Sequence, residues 1–117
     1  MRFVPNVARW SAYYDVDPLL VAVTITMESS WKPRVRGPVG EIGLTQVHSR
    51  EAKRGFKLWI PDQQIRAGAK WLRRCLDTCG STRRAVAMYA SGSCAAQWPG
   101  LNKRMRAYRR AVRMFRK

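Results

Sequence analysis

Only seven acidic residues face 23 Lys and Arg in the 117-residue chain, so each carboxylate can be weighed, and Glu28 stands apart by its setting. It lies near the C-terminal end of PLLVAVTITMESS, residues 18–30, the most apolar stretch of the sequence. Aliphatic neighbours disfavour the charged carboxylate, and the negative end of a helix dipole acts in the same direction. A carboxyl group that carries its proton near neutrality is what a general acid needs. The alternative is that Glu28 points away from the helix end and pairs with Lys32, four residues on. Two other segments have a composition suited to a site. GPVGEIGLTQ, residues 37–46, sets three glycines and a proline before the amide of Gln46, which suits a tight turn that a ligand can approach closely. AVAMYASG, residues 85–92, carries Tyr89 on a small-residue helix that Gly92 would close, and ordinary helix packing accounts for it equally well.

The remaining reactive side chains form no comparable group. His48 is the only histidine and has neither a ligand cluster nor a Ser or Cys partner around it, so its expected role is structural or superficial. Metal-ligand spacing is absent, and neither a metal nor an organic cofactor is implied. Cys75, Cys79 and Cys94 permit one intramolecular bridge at most. Cys75 and Cys79 lie one helical turn apart, near the upper limit for a disulfide. Cys94 and Cys79 fall toward opposite ends of the 81–91 helix unless the chain folds back, so three reduced, buried thiols are the default expectation.

The elements that must position these residues are mainly helical. Asp17 reads as an N-cap and Pro18 as the first helical residue of a segment running to about residue 30. Its apolar residues fall on several faces at once, the pattern of a helix buried all round. Pro33, Gly37, Pro38 and Gly40 interrupt regular structure, and residues 32–46 are expected to form a loop with a short hairpin. A helix from about residue 61 or 62 to Asp77 is indicated by Ile65, Ala69, Leu72 and Leu76, with Gly80 beyond its end. Ser81 caps a further helix closed by Gly92. The last, from about residue 101 to 116, has Leu101, Met105, Tyr108, Val112 and Phe115 in one apolar stripe. Residues 5–14 suit an additional short helix. No repeat, low-complexity linker or second domain is visible, so residues 1–117 are expected to form a single domain.

A chain that is 46% hydrophobic is far from the composition of a disordered one. No apolar run reaches the ~18 residues that suggest a membrane span, and the N-terminal residues lack the apolar core of a Sec-type export signal. The net charge of +16 calls for an anionic partner or habitat. Residues 103–117 hold eight basic and no acidic residues, half of that charge. They read either as the solvated face of a packed helix or as a cationic amphipathic helix for lipopolysaccharide or anionic lipid. Basic residues spread over the whole chain without a recognition motif argue against specific nucleic-acid binding.

In order, the sequence presents Glu28-Ser29, then G-x-x-G-L-x-Q ending at Gln46, then Ala-x-Tyr-x-x-Gly from Ala87 to Gly92. This succession resembles the lytic transglycosylases of the lysozyme-like superfamily, and the resemblance covers residues 16 to 92. It implies a compact, mainly α lysozyme-like domain whose cleft binds peptidoglycan glycan strands, with Glu28 as the single catalytic acid/base. Such enzymes cleave the bond between N-acetylmuramic acid and N-acetylglucosamine and leave a 1,6-anhydro ring on the muramic sugar. By the same resemblance Ser29, Gln46 and Tyr89 contact substrate beside Glu28, and Ile42 and Thr45 form the cleft wall. Three positions depart from the family pattern: Gly37 replaces a Ser, Thr45 a Met, and Ala90 the Asn that follows the Tyr. Glu41 opens the rival of a hydrolysing lysozyme with a second carboxylate. A non-enzymatic rival is a cationic module that permeabilises walls or membranes. The expected setting is a monomeric phage endolysin, made in the cytoplasm without a Sec signal and released to the wall, or an enzyme carried by a virion.

Overall fold

A computed structural model describes residues 2–116. The helices are α1 (Val4–Tyr14), α2 (Pro18–Ser29), α3 (Arg50–Lys53), α4 (Pro61–Cys79), α5 (Thr82–Ser91) and α6 (Pro99–Phe115). No strand forms among the described residues. The expected hairpin after α2 reduces to two isolated antiparallel bridges, Arg36 with Ile42 and Ile42 with Val47.

Capping chemistry sets the ends. The Asp17 carboxylate accepts the Leu19 N–H at 2.9 Å to open α2. Ser81 accepts the Arg84 N–H to open α5. Gly80 and Gly92 close α4 and α5 in the left-handed region, at φ 82° and 86°. The α4 helix runs two residues past the expected Asp77 because the glycine stop, not the last apolar residue, ends it. Short α3 escapes sequence reading, since four residues are too few to display a period.

One core unites the helices. Ile25 of α2, Ile65 and Leu72 of α4, Leu101 of α6 and Leu44 of the connecting loop are all fully buried in it. The α4 helix packs against α1, α2 and α5, and α6 lies across α2 and α5. All-round burial of α2 is corrected to one-sided burial. Leu20, Val21, Thr24, Ile25 and Ser29 face the core, whereas Leu19, Val23 and Met27 are half-buried under shallow apolar hollows beside the end of α6. The α6 stripe likewise enters the core only in part: Leu101 and Met105 are buried, but Phe115 is 69% exposed.

The thiols also depart from expectation. Cys79 and Cys94 are bridged, with Cα atoms 5.5 Å apart, because the chain folds back after Gly92 and brings both sulfurs beside Met88. A bridge separated by 15 residues contributes about 3 kcal/mol in the chain-entropy picture. Cys75 alone is free, and burial pushes its thiol up to about 12, so it remains protonated and inert.

Two half-buried carboxylates tie distant elements. Asp17 accepts from Tyr108 of α6 and from Arg116 just past its end, and Asp62 of α4 accepts from Asn6 and Trp10 of α1 at 2.8 and 2.9 Å. Partial burial pushes both carboxyls up, but the hydrogen bonds outweigh it and hold each below the ordinary value of 3.8. A carboxyl lowered on folding stabilises the native state above its unfolded value, and that contribution is lost as pH falls through the folded value. Chemical denaturation is therefore expected to show constant stability from neutrality to about pH 4 and a decline below it. Asp17→Asn with Asp62→Asn should be less stable at neutrality and flatten that decline. A decline of unchanged steepness in the double variant would refute the assignment.

Candidate active site

Glu28 occupies the last turn of α2, its side chain 16% exposed. It does not pair with Lys32. Ser30 and Trp31 take left-handed φ values of 52° and 65°, so the helix ends and Lys32 leaves the i+4 position on which that pairing depended. Its partner is Arg104 of α6, whose Nη2 donates to Glu28 Oε1 at 3.0 Å across 76 residues of sequence. The sequence offered no sign of this contact, since Arg104 is one of many arginines on a basic helix.

Behind Glu28, the 43–46 segment is gripped by three helices. Ser29 Oγ lies 2.8 Å from Leu44 O and 3.1 Å from Ile25 O, joining the end of α2 to the loop. From α4, the Gln64 side-chain oxygen accepts the Leu44 N–H at 2.8 Å, while the Gln64 backbone carbonyl accepts from Thr45 Oγ1 at 2.6 Å. From α5, Tyr89 Oη donates to Thr45 O at 2.6 Å. The Gln46 amide closes the turn from within, donating to Val35 O at 3.0 Å and Gly43 O at 2.8 Å with its own backbone at φ 49°. Four of the five residues assigned to substrate contact, Ser29, Thr45, Gln46 and Tyr89, are thus buried and bonded to backbone, forming the frame that fixes the loop. Ile42 is the fifth. It is half-buried and lines an open hollow of about 260 Å³ with Arg34, Arg36 and Trp59.

Tyr89 is fully enclosed, and burial pushes its hydroxyl well above 10; the nearby Glu28 carboxylate adds to the rise and the Thr45 hydrogen bond partly offsets it. The phenol therefore keeps its proton and serves as a donor.

Gln64 was absent from the sequence-derived site. Besides Leu44 it bonds Pro33 O at 3.1 Å and Leu58 O at 2.9 Å, so one buried amide fastens both ends of the loop to α4. The available signal lay in the glycines. A Cβ on Gly43 would come within 2.0 Å of the Gln64 amide carbon, and one on Gly68 within 2.4 Å of the Thr45 methyl. Gly68 is there for close approach, and Gly43 for close approach together with a left-handed φ of 74°.

The other acids have their own engagements. Glu41 accepts the Val39 N–H at 2.8 Å, folded so closely over Gly37 that a Cβ there would meet its carboxylate carbon at 2.5 Å. Gly37, a departure from the family pattern, is thereby accounted for. Glu51 pairs with Arg74 and Asp77 with Arg73, both at the surface, and Asp17 and Asp62 form the interhelical ties described above. Asp15 is the exposed C-cap of α1. His48 is exposed, and no cluster of His, Cys, Asp and Glu among the described residues is placed to hold a metal ion. The site is thus one shielded carboxylate beside a loop held rigidly by side chains from α2, α4 and α5.

Comparison with known proteins identifies the family of the chain. The family model of the transglycosylase SLT domain matches residues 5–110. A protein of Enterobacteria phage PRD1 described as a transglycosylase is 38% identical over 95 residues, 80% of this chain and 36% of that protein. The chain therefore spans little more than a third of the length of that relative. The match runs from α1 well into α6 and so takes in Glu28, the gripped loop and Tyr89. The chain belongs to the transglycosylase SLT domain family.

Proposed function

We propose that this chain cleaves peptidoglycan glycan strands as a lytic transglycosylase, breaking the bond between N-acetylmuramic acid and N-acetylglucosamine to leave a 1,6-anhydro muramyl end. The observation that carries this reading is the solitude of Glu28: each of the other acids is engaged elsewhere or stands at the surface. Hydrolytic glycosidases use two carboxylates at a set separation, one of them for the nucleophile or the attacking water. A single carboxyl suffices when the sugar supplies its own nucleophile. Glu28 first gives its proton to the departing glycosidic oxygen; as carboxylate it then takes the proton of the muramyl 6-hydroxyl, whose oxygen closes on the anomeric carbon. The substrate's acetamido group covers that carbon between the two steps. Gln46 and Tyr89 serve chiefly by holding the loop wall, with the Gln46 side-chain oxygen the polar atom left for a sugar. The family membership and the phage relative support this assignment. It is tested by digesting purified peptidoglycan and weighing the products. Muramyl ends lighter by one water than the hydrolytic products support it, and ends of full hydrolytic mass replace it with a lysozyme.

The setting proposed for this activity is lysis or wall penetration in the service of a phage. No helix among the described residues is long and apolar enough to cross a membrane. The exposed face of α6 suits the surface of an anionic envelope instead. Lys103, Arg106, Arg109, Arg110 and Arg113 are exposed and form no ion pair among the described residues, and Met114 and Phe115 lie exposed at the C-terminal end of the helix. The protein is expected to sediment with phosphatidylglycerol vesicles at low salt, to release them as salt rises, and to ignore phosphatidylcholine vesicles. Equal sedimentation with both lipids, or with neither, would remove the membrane from this account.

A further inference from the structure

The reaction just proposed asks Glu28 to present a proton to the glycosidic oxygen, yet Glu28 Oε1 already accepts a hydrogen bond from Arg104 at 3.0 Å. The contact is built in. Leu101 and Met105, which flank Arg104 on α6, are buried in the core, so the backbone that carries the arginine is fixed. The two side chains are only 19% and 16% exposed, so the pair is shielded without being sealed from solvent. From α5 the group bearing on Glu28 is Tyr89, whose hydroxyl is committed to Thr45 O. Arginine keeps its charge at any working pH and offers five donors, of which the Glu28 contact uses one. Removing a guanidinium from a shielded partner strands a charge unless another anion takes it.

Peptidoglycan supplies that anion. Every muramyl unit carries a carboxyl group on its lactyl ether, free in bare strands; in the intact wall it is an amide to a stem peptide that brings carboxylates of its own. We propose that Arg104 is the receptor for the carboxylate of the muramyl unit, the lactyl group in bare strands and a stem-peptide carboxylate in the intact wall. On binding, the guanidinium passes from Glu28 to the acidic group of the muramyl unit, and Glu28 Oε1 is uncovered to carry a proton drawn from solvent. No covalent bond changes in this step. Arg104 thereby becomes a specificity residue. A strand of the same N-acetylated sugars without carboxylates leaves the arginine on Glu28 and the acid blocked. This inference rests on the transglycosylase reading and adds to it how the site selects muramyl strands.

The test crosses a variant with a change in the substrate. Glycan strands freed of stem peptides are divided, and the lactyl carboxylates of one portion are converted to amides. For the wild type, amidation is expected to lower kcat/KM by about a hundredfold, through both kcat and KM. Arg104→Gln is expected to raise KM about tenfold on charged strands with kcat nearly unchanged, and to respond to amidation by less than about threefold. Since no guanidinium then covers Glu28, the variant should surpass the wild type on amidated strands, an inversion that a merely structural role cannot produce. Arg104→Lys, which keeps the charge, should retain part of the discrimination. Equal losses on amidation for wild type and variant overturn the proposal, and so does a wild type indifferent to amidation, a result that needs no variant to fold. Absence of anhydro ends from every digestion overturns the transglycosylase reading itself and this inference with it.

Discussion

Glu28→Gln is expected to reduce the release of soluble muropeptides by a factor of about 10³ or more while leaving the fold intact. The amide matches the carboxyl in shape and still offers an oxygen to Arg104, so packing at the end of α2 need not change. It can neither give the proton that the leaving oxygen requires nor accept the one from the 6-hydroxyl. Both halves of the reaction fail together, so the loss should appear in kcat with binding of glycan strands preserved. Muropeptide release measured beside thermal unfolding separates the two effects. A variant that keeps a tenth of the wild-type rate would mean that another group carries the chemistry. Lysis of whole cells that survives the substitution would point to permeabilisation by α6.

The second large effect concerns a residue that frames the loop and has no part in the proton transfers. Gln64→Ala is expected to cost about 4 kcal/mol, because it leaves the Leu44 N–H and the Leu58 carbonyl without partners in the interior and the half-buried Pro33 carbonyl without its own. Total stability of a domain this size is about 5–15 kcal/mol, so the variant should be barely folded. Gln64→Glu separates the two halves of the amide's role. The carboxylate keeps an acceptor for Leu44 but has no donor for Pro33 O or Leu58 O, so it should also be strongly destabilised, most of all at neutral pH where it is charged. Urea denaturation measures both. A cost under about 1 kcal/mol for Gln64→Ala would show that the loop does not depend on this amide. The loop carries the wall beside Glu28, so activity in any folded fraction should fall as well.

Local chemistry in the sequence was the most legible. Asp17, Ser81, Gly80 and Gly92 act as caps by hydrogen bonds and φ preferences that involve neighbouring residues, and so the limits of α2, α4 and α5 lie within two residues of expectation. Glu28 was legible for a similar reason, since a carboxylate near the end of an apolar helix is anomalous without reference to the rest of the chain. Contacts made by tertiary folding were not. The Arg104 partner of Glu28 and the Cys94 partner of Cys79 depend on where α6 and the 92–98 segment return, which no local pattern fixes. Gln64 was overlooked because apolar periodicity passes over a polar residue on a buried face. Ser29, Thr45, Gln46 and Tyr89 were seen as a group near Glu28, but their hydrogen bonds to the backbone of Leu44, Gln64, Gly43 and Thr45 respectively emerged only from the folded chain.

The central claim is that one carboxyl group cleaves the strand with the sugar's own hydroxyl as nucleophile. Digestion of glycan strands in water enriched in heavy oxygen tests it most directly. The account predicts muramyl ends that contain no oxygen from the solvent and resist borohydride reduction. Reducible muramyl ends that each carry one heavy oxygen would show that water attacks the anomeric carbon, and would contradict it.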